Sequence, residues 1–217
     1  MAEPGRFITL EGGEGAGKST QARRLAAALR AAGLDVLETR EPGGSPGAEE
    51  IRRLLTTGEA GRWSPMAETL LHNAARADHL RRTVRPALAE GRWVVSDRFA
   101  DSTMAYQGYG HGIDRDFIAA LSRVVVDGLE PSLTLVFDLP VEQGLARAAR
   151  RQGAELRAED RYERMDHGFH EALRRGFLAI AAAAPERCVV IDASGDEAAA
   201  WAQVRAAIAQ RLGLEVA

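Results

Sequence analysis

Gly12-Gly13-Glu14-Gly15-Ala16-Gly17-Lys18-Ser19 has the spacing G-x-x-x-x-G-K-S, and its surroundings decide the fold. Its glycines let the backbone turn through positive φ and aim successive N–H groups inward, which makes a nest for an anion. Before it, Phe7-Ile8-Thr9-Leu10 is a short apolar run that reads as a buried strand. After it, Ser19-Thr20-Gln21 opens a helical pattern through Leu25, Ala28, Leu29 and Ala32. Strand, loop and helix N-terminus in that order point the helix dipole at whatever phosphate the loop holds. Gly12, Gly13, Glu14, Gly15, Ala16, Gly17, Lys18, Ser19 and Thr20 are the candidate polyphosphate-binding residues. Of the 28 Lys+Arg side chains, all are arginine except Lys18. A compact ammonium kept at this one position suits the outer phosphates, where the wide guanidinium fork does not fit. The Ser19 hydroxyl is expected to complete the shell of a Mg²⁺ ion.

With 217 residues, 46% hydrophobic and 27% charged, the chain suits one compact domain, 1–217, with a full core. A formal net charge of −3 argues against bulk attraction to nucleic acid or an anionic membrane, so small anions are the expected partners. The single cysteine, Cys188, excludes an intrachain disulfide, and its neighbours Val189, Val190 and Ile191 make it a core thiol. No run of about 18 apolar residues and no signal-peptide pattern is present, so a soluble cytoplasmic protein is expected.

Apolar runs at 6–11, 35–40, 93–96, 133–139 and 188–192 read as strands, separated by helical patterns at 18–32, 48–55, 66–89, 114–127, 141–151, 162–184 and 197–212. Such alternation predicts an α/β fold in three layers, a five-stranded parallel sheet flanked by helices. Right-handed crossovers put the ligand crevice beyond the carboxyl ends of the strands.

Residues just after strands are therefore the ones to examine. After the third strand come Asp97-Arg98-Phe99, then Ser102, Thr103, Ala105, Tyr106 and Gln107. Asp97 is a candidate for Mg²⁺ or its water, and Arg98 for a bidentate phosphate clamp. After the second strand, Thr39-Arg40-Glu41-Pro42-Gly43-Gly44-Ser45 forces a fixed turn in which a cis Glu41-Pro42 bond is possible. A connecting turn and a functional one read equally well there. Arg147, Arg150, Arg151 and Arg157 surround Gln152-Gly153-Ala154, which reads either as an arginine-rich lid at about 147–160 or as a solvated basic helix face.

Taken together, the phosphate loop, T-R-E-P-G-G, E-x-L-L-x-x-A-x-R at 68–76 and D-R-[FY]-x-x-S-x-x-A-Y-Q at 97–107 make the chain resemble the bacterial thymidylate kinases over nearly its whole length. The resemblance implies the P-loop NTPase fold, a homodimer built from helix faces, and transfer of the γ-phosphoryl of ATP to dTMP with Mg²⁺, giving dTDP. It implies that Arg98 contacts the acceptor phosphate with support from Arg52. It implies that Arg76, Thr103 and Gln107 read the thymine edge, and that Tyr106 lies against the sugar where a 2′-hydroxyl would point. Glu41 belongs with these substrate-binding residues, and Glu14 stands where the family carries an acidic residue near the transferred phosphate. The loop segment 14–16 lacks arginine, which resembles the type whose catalytic arginine comes from the lid, with Arg147 and Arg151 favoured. One position departs: where the family has a phenylalanine stacking on thymine, this chain has His72, a smaller ring able to titrate near neutral pH.

Rival classes are distinguishable. A GTP switch needs N-K-x-D, which a chain with its one lysine at position 18 lacks. A motor or helicase ATPase needs a glutamate after the aspartate of Leu135-Val136-Phe137-Asp138-Leu139, and none follows. A deoxynucleoside kinase is the nearest enzymatic rival. A nucleotide-binding regulator without turnover is the non-enzymatic one.

Overall fold

The computed structural model of the protein describes residues 5–59, 61–152, 161–162 and 164–217. In chain order the elements are β1 (Phe7–Gly12), α1 (Lys18–Ala31), β2 (Val36–Arg40), α2 (Pro46–Thr56), α3 (Pro65–His79), a π-helical turn at Leu80–Val84, α4 (Arg85–Ala89), β3 (Trp93–Asp97), α5 (Ala100–Thr103), a second π-helical segment at Met104–Gly110, α6 (Arg115–Val126), β4 (Leu133–Asp138), α7 (Val141–Gln152), α8 (His167–Ala183), β5 (Cys188–Asp192) and α9 (Glu197–Leu212). The five strands form one sheet in the order β2-β3-β1-β4-β5, with every pairing parallel. The α/β class and parallel five-stranded sheet expected from the alternating pattern are both present.

β1 lies at the centre, and all six of its residues are buried, Thr9 and Glu11 among them. Helices on both faces explain why the strand shows no polar alternation. On one face Leu25 and Leu29 of α1, with Trp201, Val204 and Ile208 of α9, close over Ile8, Leu10 and Leu135. The other face carries two clusters: Phe7, Leu80, Val84, Val94 and Phe99, and Tyr106, Val136, Phe169, Leu173 and Phe177. Register pairs Leu10 with Asp97 and Gly12 with Phe137, so β1, β3 and β4 end level and deliver their following residues to one edge.

Three helix expectations differ from the structure. The single helix expected over 66–89 is divided by the π turn, and Pro86 lies in the first turn of α4; a proline there supplies no N–H to the helical ladder, which widens around it. The helix expected from 162 starts at His167, where Asp166 caps it by accepting from the Phe169 N–H at 2.9 Å. Residues 100–110, read only as a polar and aromatic cluster, are helical. Close packing on α8 sets that course: a Cβ on Gly110 would lie 2.5 Å from the Phe169 ring, and one on Gly176 2.7 Å from Tyr109.

One buried side chain fixes the turn after β3. Glu11, with no exposed surface, accepts from the Phe99 N–H at 2.8 Å, the Ser102 N–H at 3.2 Å and the Ser102 hydroxyl at 2.6 Å. Ser96 donates its hydroxyl to the Arg98 carbonyl at 2.8 Å. Between them Arg98 is held at φ 73°, a left-handed conformation that a side chain adopts only where its surroundings enforce it. Burial, reinforced by the Asp101 charge, pushes the Glu11 carboxyl up from 4.5 to about 8 against the opposing pull of Ser102, Arg98 and the Phe99 N–H. The folded chain therefore holds a proton that the unfolded chain has released. This contribution to stability is complete below about pH 4.5 and is lost as pH rises through about 8. Glu11→Gln cannot ionise, so the melting temperature of the wild type should fall relative to the variant between about pH 4.5 and about pH 8; parallel melting curves across that range would exclude the buried proton.

Candidate phosphate-transfer site

The loop from Gly12 to Ser19 turns as its glycines allow. Gly12, Gly15 and Gly17 have φ of 138°, 67° and 83°. Two close approaches permit nothing larger than hydrogen: a Cβ on Gly12 would lie 2.4 Å from the Phe137 carbonyl oxygen, and one on Gly15 2.0 Å from that of Gly144. α1 has no side-chain cap, which leaves its first N–H groups to an anion in the loop. Lys18 is buried and donates to the Gly13 carbonyl at 2.6 Å. Burial, then the nearby Arg98 charge, lowers its ammonium to about 8 against the pull of Glu14 and Asp97. Phosphate oxygens would favour its charged form.

Ser19 donates its hydroxyl to Asp97 Oδ2 at 2.5 Å. Asp97 Oδ1 is buried with no hydrogen-bond partner among the described residues. A hydroxyl and a carboxylate with an unused oxygen, beside an anion nest, match the hard oxygen ligands that Mg²⁺ takes. The two residues expected to hold that ion are thus brought together.

Arg98 bridges the loop and the turn after β3. Its guanidinium donates to the Gly12 carbonyl at 3.1 Å, the Ser102 hydroxyl at 3.2 Å and Glu14 Oε1 at 3.0 Å. It also lies over the Tyr106 ring, 5.0 Å from its centroid. The Tyr106 hydroxyl donates to the same Glu14 oxygen at 2.5 Å. Burial alone would raise the Glu14 carboxyl, but Arg98, Lys18 and Tyr106 hold it down at about 2. Glu14 is accordingly an anion with two cations beside it and is a weak proton acceptor.

Next to this trio is a second buried group. Arg76 donates to Glu41 Oε2 at 2.7 Å, the Phe99 carbonyl at 2.9 Å and the Thr103 hydroxyl at 3.0 Å. The other Glu41 oxygen meets His79 Nδ1 at 3.0 Å, and His79 Nε2 meets the Thr39 hydroxyl at 2.8 Å. Glu41 therefore spends one oxygen on Arg76 and the other on His79. The Glu41-Pro42 bond is cis, and Arg52 donates to the Pro42 carbonyl at 2.8 Å. Gln107 donates to Glu68 Oε1 at 2.8 Å, while its own Oε1 is buried without a partner among the described residues. The ring of His72 meets the Tyr162 hydroxyl at 2.8 Å. Burial comes first among the causes that lower His72 to about 4, so the imidazole is neutral at pH 7, which corrects the expectation that it titrates near neutrality.

Arg147 is placed away from the loop's interior. It donates to the carbonyls of Ala193, Ser194 and Gly195 at 2.8, 3.1 and 3.0 Å, binding α7 to the segment after β5. The side chain of Arg151 and the lid residues 153–160, Arg157 among them, lie outside the described residues.

Four contributors escaped the sequence reading: Glu11, His79, Glu68 and Arg161. Glu68 forms a buried ion pair with Arg161, whose guanidinium also reaches the Leu55 carbonyl at 3.0 Å. Buried glutamates in helix or strand patterns carry the only available signal, since a charge that is taken from water needs a partner.

Comparison with known proteins agrees with this geometry. The family model described as thymidylate kinase matches residues 10–204. A thymidylate kinase from Caulobacter vibrioides is 57% identical over 97% of this chain and 99% of its own length. One from Dinoroseobacter shibae is 54% identical over 94% of this chain and 96% of its own. The crystal structure of the thymidylate kinase from Ehrlichia chaffeensis superposes with a TM-score of 0.74 at 34% identity, covering 94% of this chain and 99% of that one. With a phosphate loop, Arg98 beside it and near full-length similarity of this kind, the chain belongs to the thymidylate kinase family.

Proposed function

We propose that the protein transfers the γ-phosphoryl group of ATP to dTMP, giving dTDP, with Mg²⁺ held by Ser19 and Asp97. The observation that carries this reading is the 3.0 Å contact between Arg98 and Glu14, which ties a cation from the turn after β3 to the phosphate loop. Phosphoryl transfer asks the protein for position and charge rather than covalent chemistry. Lys18 and the loop N–H groups hold the outer donor phosphates. Arg98 exchanges the Glu14 carboxylate for the acceptor phosphate, and Arg52 supports it through the turn at Pro42. Arg76, fixed by Glu41 and Thr103, and the unpaired amide oxygen of Gln107 present donors and an acceptor to the thymine edge. Tyr106, held by Glu14, fills the space beside the sugar. Mg²⁺ would neutralise charge on the phosphate oxygens. Arg147 secures α7, which leaves Arg151 as the lid arginine of this reading.

A deoxynucleoside kinase would have to activate a nucleoside hydroxyl, and Glu14, held at about 2, is poorly suited as that base. A panel of nucleoside monophosphates and thymidine, assayed with ATP and Mg²⁺ for ADP release, should show dTMP as the best acceptor. Turnover of thymidine in preference to dTMP would overturn the assignment.

The homodimer and the cytoplasmic location are part of the same reading. Met66 and Leu70 of α3 and Phe117 and Val124 of α6 are exposed apolar side chains, Val124 at 78%, a combination suited to burial between two copies. No helix among the described residues is long and apolar enough to cross a membrane. Leu70→Glu with Val124→Glu should shift the sedimenting species from dimer to monomer, and an unchanged dimer would place the interface elsewhere. Arg98→Ala should lower kcat/KM by about 10²-fold or more, as removal of a transition-state donor does; near-normal turnover would remove Arg98 from the mechanism.

A further inference from the structure

Beside the phosphate loop a cleft opens between the carboxyl end of β4, α7 and α8, with Gly13 and Glu14 on one wall and His170 and Arg174 on another. Arg174 is committed there, making paired bonds to Asp138 at 2.7 and 2.9 Å. His170 is not. The residue is 4% exposed, and Nε2 has no hydrogen-bond partner among the described residues. A buried imidazole nitrogen left bare in a native fold calls for a physical explanation.

The groups that face it come from several elements. Glu14 approaches from the phosphate loop, and Arg174, one turn further along α8, lines the same cleft with its partner Asp138 at the end of β4. Asp166 and His167 lie at the start of α8, the Met165 backbone bonds the ring, and the Phe169 ring meets it edge-on with centroids 5.6 Å apart. Burial lowers the ring's affinity for a proton, while Glu14, Asp166 and Met165 raise it. As described, the balance favours the neutral form.

Nucleotide binding changes that balance, and this step rests on the function proposed above. Glu14 is offset by Arg98 and Lys18. With both nucleotides bound, the acceptor phosphate takes Arg98 and the donor phosphates take Lys18, so the carboxylate loses two cations and gains polyanions as neighbours. Both changes favour a positive charge on the nearby imidazole, and the Mg²⁺ that enters with ATP offsets only part of the phosphate charge. We propose that His170 takes up a proton at Nε2 when both nucleotides are bound, acting as a positioning residue that holds the Glu14 carboxylate in place after its cations turn to phosphate. The proton comes from solvent, occupies the bare lone pair and returns to solvent when products leave.

The test is calorimetric titration of dTMP into the full chain saturated with Mg²⁺ and a non-hydrolysable ATP analogue, in two buffers of different ionisation heat near pH 7. The number of protons taken up should be larger for the wild type than for His170→Gln, whose amide cannot charge, and the ratio of the wild-type KM for dTMP to that of the variant should rise with pH. Ionisation of the dTMP phosphate enters both measurements and cancels in the difference. In the wild type, one histidine ring resonance should move to its charged position only when both nucleotides are present, a result that does not depend on the variant folding. Equal proton counts in the two proteins, or histidine resonances that stay neutral, overturn the inference. Absence of any dTMP binding heat in the wild type overturns the acceptor reading, and this inference with it.

Discussion

A carboxyl group shut away from water, Glu11, joins the central strand to the turn that follows β3, and the geometry of the site depends on that join. Three donors from Phe99 and Ser102 converge on it. Without them the 98–102 backbone would have N–H groups buried and unpaired, a cost of about 1–3 kcal/mol for each. More important for function, Arg98 would lose the constraint that holds it in the left-handed region. From that conformation its guanidinium reaches back over the sheet edge to the Gly12 carbonyl and Glu14. An Arg98 in ordinary extended backbone would direct the same side chain elsewhere.

Under the proposed function, the charges above this join are pairs whose cations the substrates would take over. Lys18, Glu14 and Arg98 stand together, with Glu41 against Arg76 and Glu68 against Arg161 beside them. Buried ion pairs give little net stability, because desolvation offsets most of the attraction. Their presence at one end of the sheet makes better sense as preparation for ligands. A cation that is already dehydrated and held by a carboxylate can pass to a phosphate with little further desolvation, whereas a hydrated one must first shed water. Arg76 differs from Arg98 in this respect. Its guanidinium is held by Glu41, Phe99 and Thr103, and its carboxylate partner is itself anchored by His79, whereas the carboxylate that holds Arg98 sits on the phosphate loop itself.

How much of this was legible follows from which forces act locally. The strands were readable because burial on both faces leaves uninterrupted apolar runs, and the phosphate loop because its glycine spacing states a backbone requirement directly. Asp97 beside Ser19 and Arg98 beside the loop followed from placing each after a strand. The π-helical segment at 104–110 was not readable, since contact with α8 sets its course and no local periodicity encodes it. Glu11 was hidden for a related reason: its partners lie at sequence separations of 88 and 91 residues, so nothing near it in the chain distinguishes it from a strand-end residue facing solvent. His72 illustrates a third case. Its position was identified, but its charge state depended on burial and on the Glu68 and Arg76 charges around it, which only the assembled fold supplies.

Arg147 shows how a correct composition can mislead about role. An arginine-dense segment after a phosphate-binding fold invites every arginine in it to be assigned to phosphate. Yet Arg147 is spent on three backbone carbonyls after β5, and three residues earlier Gly144 lies against the loop so closely that a Cβ would come within 2.5 Å of the Glu14 carbonyl. α7 is thereby seated at two points, one on the loop and one on the neighbouring strand's exit. Side chains one turn apart share a helix face, so both contacts belong to a single packed surface. The helix holds the phosphate loop's back wall in register with the sheet, and whatever its later arginines reach, they set out from a fixed base.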